Sequence, residues 1–233
     1  MVKKKRLHLF DSENVSTAKS VAVIGLGRFG QSIALELMSD GAEVLGIDSN
    51  PKIVQAFNDQ LSHVVAADAT NPEVLEQLDI LDFDQIVVAI GTHLESSILT
   101  TSWLVRQGVE NLWAKAVSDQ HGVILQQLGV SRVIYPEKDM GRRVAHLLQG
   151  GLKEYIQIDS NNVIVMSTAP EVLVGQKLTP QEIFDRFNVS ITSYKDGSGT
   201  WHRLPEVIDV DADSTILYSG PPAQVERFAK KYL

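Results

Sequence analysis

From residue 21 onward, short β-branched runs alternate with amphipathic stretches, the runs falling at 21–24, 44–47, 63–66, 86–90, 112–115 and 132–135. Strands separated by helical stretches of about ten to fourteen residues pair through crossovers, which gives a parallel sheet with helices on both faces. The runs are apolar along their length rather than at every second residue, as a strand buried on both sides requires. The helical period is legible between them: Ile33, Leu37 and Met38 are read as one face, and Ile98, Leu99, Trp103 and Leu104 as another. The expected fold class is therefore α/β, a Rossmann-like doubly wound parallel sheet followed by a small α+β lobe.

The rhythm changes after the sixth run. Pro136-Glu137-Lys138-Asp139-Met140-Gly141 opens a helix whose apolar positions Met140, Val144, Leu147 and Leu148 form one stripe, and Gly150-Gly151 stops it. That stripe needs a partner surface, either its own sheet or a second subunit. Beyond Gly151 come strands at 154–158 and 163–167, a helix at 180–187, a strand at 190–195, a turn at Asp196-Gly197-Ser198-Gly199 and a strand opening at Thr200-Trp201. A last strand at 216–219 and a helix at 222–232 close the chain. Three segments follow: a flexible N-terminal tail over 1–20, a nucleotide-binding domain over 21–150, and a C-terminal domain over 151–233. Lys3-Lys4-Lys5-Arg6 in the tail reads as a solvated basic patch or a weak attraction to anionic lipid, and no apolar segment follows it to make an export signal.

The chemistry concentrates at the first turn. Gly25-Leu26-Gly27-Arg28-Phe29-Gly30 fits G-x-G-x-x-G directly after a strand and before a helix. Gly25 allows the tight turn, Gly27 lets backbone approach a diphosphate, and Gly30 lets helix and strand pack closely, with the helix N-terminus facing the anion. Asp48 ends the second strand, where a carboxylate accepts hydrogen bonds from both ribose hydroxyls and repels a 2′-phosphate. Phe29 and Asn50 flank these two anchors and join the candidate set, as do Ile90 and Gly91 after the fourth strand. Arg28 is either a solvent-facing residue at the helix start or a planar clamp for a terminal phosphate, on its own nucleotide or a neighbour's. Asp68, Ala69 and Thr70 close the third strand, as an adenine contact or as an N-cap for the helix at Pro72. Lys115 ends the fifth strand, facing phosphate or lying at the surface.

Several classes are excluded by composition. Twenty-one Lys and Arg against 29 Asp and Glu leave a net charge of −8, so the average surface repels nucleic acid. Without cysteine, disulfides, thiolate metal sites and cysteine nucleophiles are all removed. No apolar run reaches the roughly 18 residues of a bilayer span. No Tyr-x-x-x-Lys occurs and no histidine pairs informatively with an acid, so an NAD-dependent oxidoreductase, the second reading, lacks its acid–base set. Asp209, Asp211 and Asp213 alternate like a calcium loop, but Ser214 and Gly220 stand where such a loop needs glycine and a bidentate acid.

Val23-Ile24-Gly25-Leu26-Gly27-Arg28-Phe29-Gly30, Asp48, Ala89-Ile90-Gly91, Trp113-Ala114-Lys115-Ala116 and Tyr135-Pro136-Glu137-Lys138-Asp139-Met140-Gly141 together resemble the regulatory subunits of bacterial Ktr potassium-uptake systems, within the RCK or Trk regulatory domain family. The resemblance is strong from Val21 to Leu148 and weaker beyond Gly151. It implies a cytoplasmic homodimer assembling into a homo-octameric ring under a membrane potassium-translocating subunit, peripheral to the inner face of the cell membrane. It also implies activation by ATP over ADP, with Arg28 reaching the γ-phosphate across the dimer and Glu137 helping to hold Mg2+ or Ca2+ beside the phosphates. Trk-type relatives bind NAD or NADH. Some relatives bind cyclic di-AMP in a cleft of the second lobe, where Ile183-Phe184-Asp185-Arg186-Phe187-Asn188 stands here and departs from the expected pattern.

Overall fold

The computed structural model describes residues 20–148, 151–174, 178–203 and 210–233. The basic patch at Lys3 to Arg6, Gly150 and Asp209 lie outside them. The chain divides into two compact units, Met1–Pro136 and Glu137–Leu233, the boundary falling at the first residue of the helix that follows the sixth strand.

In the first unit, six parallel strands stand in the order β3-β2-β1-β4-β5-β6. They are β1 (Ser20–Ile24), β2 (Glu43–Asp48), β3 (His63–Ala66), β4 (Gln85–Val88), β5 (Leu112–Lys115) and β6 (Arg132–Ile134). The order reverses between β1 and β4, which opens a crevice at their carboxyl ends, the place where such sheets bind ligands. Helices α1 (Arg28–Ser39) and α2 (Pro51–Phe57) follow β1 and β2, α3 (Pro72–Gln77) follows β3, and α4 (Leu94–Arg106) and α5 (Asp119–Leu128) follow β4 and β5. Two cores result: Val21, Val23, Val44 and Val87 pack with Ala34 and Phe57, while Ala22, Ile24, Ile86 and Val88 pack with Leu75, Leu104 and Leu125. Successive residues of β1 thus serve opposite faces, the physical reason for its unbroken apolar run.

On α4 the face expected from apolar spacing is corrected. Trp103 and Leu104 are buried, but Leu99 is half exposed, and the rest of the buried face is Ser97, Thr100 and Thr101. Small hydroxyl side chains let the helix lie close, and Thr100 Oγ1 donates to the Ala69 carbonyl at 3.0 Å.

The second unit begins with α6 (Pro136–Leu148) and builds an antiparallel sheet in the order β10-β9-β11-β8-β7. Its strands are β7 (Leu152–Gln157), β8 (Val163–Thr168), β9 (Ser190–Lys195), β10 (Trp201–Arg203) and β11 (Thr215–Gly220), with α7 (Pro180–Phe187) and α8 (Pro222–Tyr232). Tyr155, Val165 and Tyr218 point to a core shared with Ile183, Phe187, Val225 and Phe228. Thr179 and Glu182 form a reciprocal capping box that fixes the start of α7. Nothing on α6 is buried: Met140 and Val144 of the predicted stripe are exposed, and Leu147 packs against the second unit's core.

Candidate nucleotide-binding site

The turn between β1 and α1 is built by three glycines with different tasks. Gly25 takes φ +96°, a backbone that side chains rarely adopt, and an added Cβ would stand 3.0 Å from the Ile90 nitrogen. At Gly30 a Cβ would run into the Gly25 carbonyl oxygen and lie 3.2 Å from the Ala89 side chain, so the helix can sit this close to the sheet only without one. Gly27 differs from both. It is the exposed N-cap of α1, offers no side-chain cap, and would give an added Cβ no neighbour within 4 Å. The start of α1 is therefore open at Gly27, and its first turn carries no acidic residue of its own. That is the electrostatics of an anion site.

Asp48 ties this turn to the second strand, a contact that spacing alone does not reveal. Its Oδ2 accepts from the Leu26 N–H at 2.8 Å and its Oδ1 from the Asn50 N–H at 2.8 Å. A carboxylate has about four acceptor positions, so two remain for a vicinal diol. Asn50 is the N-cap of α2, its side chain accepting from the Lys52 N–H at 3.0 Å. Gln31, absent from the sequence expectations, donates to the Leu26 carbonyl at 2.7 Å and braces the loop from inside the helix.

The other expected residues line the same sheet edge. Asp68 accepts from the Thr70 N–H at 2.9 Å and the Thr70 hydroxyl at 2.8 Å, and these bonds hold its carboxyl below the ordinary range. The N-cap of α3 is Asn71, which corrects the N-cap reading of Asp68-Ala69-Thr70. Ala69 is buried. Lys115 is no surface lysine: it is 8% exposed, with its ammonium 5.7 Å from the centre of the Phe29 ring. The same ammonium would stand 3.2 Å from a Cβ added at Gly91. Lys115 therefore joins the fifth strand to Phe29 and Gly91 of the predicted set.

Just past Lys115, buried His121 accepts from the Val117 N–H at 3.3 Å through Nδ1, and burial pushes its pKa down. The imidazole thus braces the turn that leaves β5. Arg28 is exposed as the first residue of α1. Glu137 stands in the first turn of α6 and belongs to the second unit. Among the described residues there is no group of three or more His, Cys, Asp or Glu able to hold a metal ion. Ile183 and Phe187 of α7 are core residues and Asn188 is its left-handed C-cap, so within 183–188 the exposed apolar side chain is Phe184.

Residues 21–136 match the TrkA-N domain family. Ktr system potassium uptake protein A of Bacillus subtilis (strain 168) is 40% identical over 217 residues, covering 90% of this chain and 95% of the relative. Ktr system potassium uptake protein C of the same organism is 32% identical over 216 residues, covering 92% and 98%. Among solved structures, the GsuK channel bound to NAD superposes with a TM-score of 0.64 at 16% identity, over 94% of this chain and 41% of that one. The crystal structure of the GsuK RCK domain gives 0.61 at 16% identity, over 93% and 48%. This chain thus spans less than half of those two chains, and the likeness establishes the fold. No helix among the described residues is long and apolar enough to cross a membrane.

Proposed function

The chain belongs to the family of Ktr system potassium uptake proteins, as a regulatory subunit whose first unit is a TrkA-N domain, and from that premise we propose that it senses adenine nucleotides and gates a membrane potassium-translocating partner. The observation that carries the reading is the pairing of Asp48 with the Leu26 N–H beside an uncapped, open helix N-terminus at Gly27. That arrangement offers acceptors to a ribose diol from the end of β2 and donors to a diphosphate from the start of α1.

ATP and ADP share adenine, ribose and two phosphates, so a switch between them needs a group that reads the third phosphate. In this proposal Arg28 is that group, because its guanidinium fork can take two phosphate oxygens. A ligand moves a two-state assembly only through its differential affinity for the two states. One charge-assisted contact is worth about 1.5 to 3 kcal/mol, or roughly ten- to hundredfold per site. Glu137 would hold Mg2+ or Ca2+ with the phosphates, the pattern of one carboxylate plus substrate oxygens that magnesium favours. NAD and NADH offer the same diol and diphosphate and compete for the same anchors, as the GsuK channel bound to NAD suggests by analogy.

Titration calorimetry on the purified protein should give saturable binding of ATP, ADP and NADH with neither hydrolysis nor hydride transfer. Absence of binding, or turnover of any of them, contradicts the proposal.

Assembly belongs to the same proposal: a second copy of the chain covers the stripe of α6, and dimers close into an octameric ring on the cytoplasmic side of the membrane. Met140, Val144 and Leu148 are 52%, 43% and 81% exposed, a large apolar face for a short helix to leave in water. Val144→Asp should lower the mass found by light scattering while circular dichroism stays unchanged. An unaltered mass would remove α6 from the interface.

A further inference from the structure

The helix through which the chain passes from the first unit to the second is fastened to the second unit mainly by polar groups. Arg143 grips Glu154 of β7 with two nitrogens, Nε at 2.7 Å and a second shorter contact, and Arg142 donates to Gln157 at 2.8 Å. The His146 ring lies flat on the Tyr155 ring, centroids 3.8 Å apart and planes 12° from parallel. Its Nδ1 stands 3.8 Å from Oε1 of Glu226 on α8. That separation is too long for a hydrogen bond and within reach of an ion pair. The contact therefore differs between the two charge states of the imidazole.

Charges of both signs surround His146. Glu226 supplies an opposite charge, and the face of buried Tyr155 attracts a cation. His146 also lies in the last turn of α6, where the helix dipole favours positive charge. Opposing it are Arg142 and Arg143, four and three residues before it on the same helix. Arg143 is neutralised by its fork on Glu154, which leaves Arg142 as the repulsive neighbour on α6. On α8, Arg227, Lys230 and Lys231 line one surface with Glu226 and offset its charge.

We propose that the junction of α6 with β7 and α8 is a proton-sensitive latch, in which protonation of His146 draws the helix onto Glu226 and tightens its hold on the second unit. The occupant is a proton, and the element it biases is the segment joining the two units. A rise in acidity and the nucleotide would then act on the same chain through different contacts.

Hydrogen exchange of the 136–148 peptide in the full-length protein, corrected for intrinsic rates, tests this at pH 7.5 and pH 5.5. A partly exposed ion pair predicts about two- to fivefold slower exchange at the lower pH. His146→Phe keeps a ring on Tyr155 but cannot titrate, and should erase the pH dependence while retaining protection. Glu226→Gln should erase it as well, and Arg143→Gln should raise exchange at both pH values yet leave the ratio. A pH ratio in His146→Phe equal to that of the unmodified protein overturns the proposal, as does an unmodified protein whose exchange does not slow.

Discussion

Gly30→Ala should destabilise the protein and abolish nucleotide binding, whereas Gly27→Ala should abolish binding and leave stability intact. Both glycines belong to one short motif, yet their surroundings differ. A methyl at Gly30 overlaps the Gly25 carbonyl oxygen, which is backbone and cannot rotate away. Alanine is intrinsically the better helix residue by about 0.5 to 1 kcal/mol, but overpacking of this kind costs about 1 to 3 kcal/mol or more. The helix must therefore shift off the sheet and carry its N-terminal donors with it. At Gly27 a methyl meets nothing within 4 Å, and φ −69° with ψ −177° suits any residue. The space it takes is the space a diphosphate needs. Thermal unfolding paired with ATP titration separates the two variants, and equal melting temperatures would show that close packing at Gly30 is not required.

Replacing Asp48 with Ala should weaken ATP, ADP and NADH alike, by about tenfold or more, because each offers the same ribose diol and a charge-assisted hydrogen bond is worth about 1.5 to 3 kcal/mol. The geometry adds a second consequence. The same carboxylate holds the Leu26 and Asn50 N–H groups, so its loss also slackens the glycine loop and the start of α2. Asp48→Asn keeps one acceptor oxygen and should fall between the two. Unchanged ATP affinity in Asp48→Ala would separate this strand end from the ligand.

Much of this was legible in the chain because its determinants are local. The strand runs, the glycine turn, the acid at the end of β2 and the helix opening at Pro180 depend on residues close in sequence. What was not legible depends on distant packing. Apolar spacing could not mark Ser97, Thr100 and Thr101 as the buried face of α4, since small hydroxyl residues leave no hydrophobic signature, and the bond from Thr100 to the Ala69 carbonyl is a contact across the fold. Nor could spacing say that Lys115 is buried over Phe29, a contact between β5 and α1. The stripe on α6 was visible as a pattern, but its polar attachment through Arg142, Arg143 and His146 required residues of β7 and α8. Asp48 lies between these cases: its position was evident, while its grip on Leu26 was a matter of folded geometry.

If this regulatory subunit counts phosphates, as proposed, calorimetric titration of ATP and ADP against Arg28→Ala will show it. The glycine turn and Asp48 remain in that variant, so ADP affinity should change little while ATP affinity falls about ten- to hundredfold toward it. Arg28→Lys should recover part of the difference, since an ammonium supplies charge without the planar fork. Full ATP-over-ADP preference in Arg28→Ala would mean that Arg28 does not read the third phosphate.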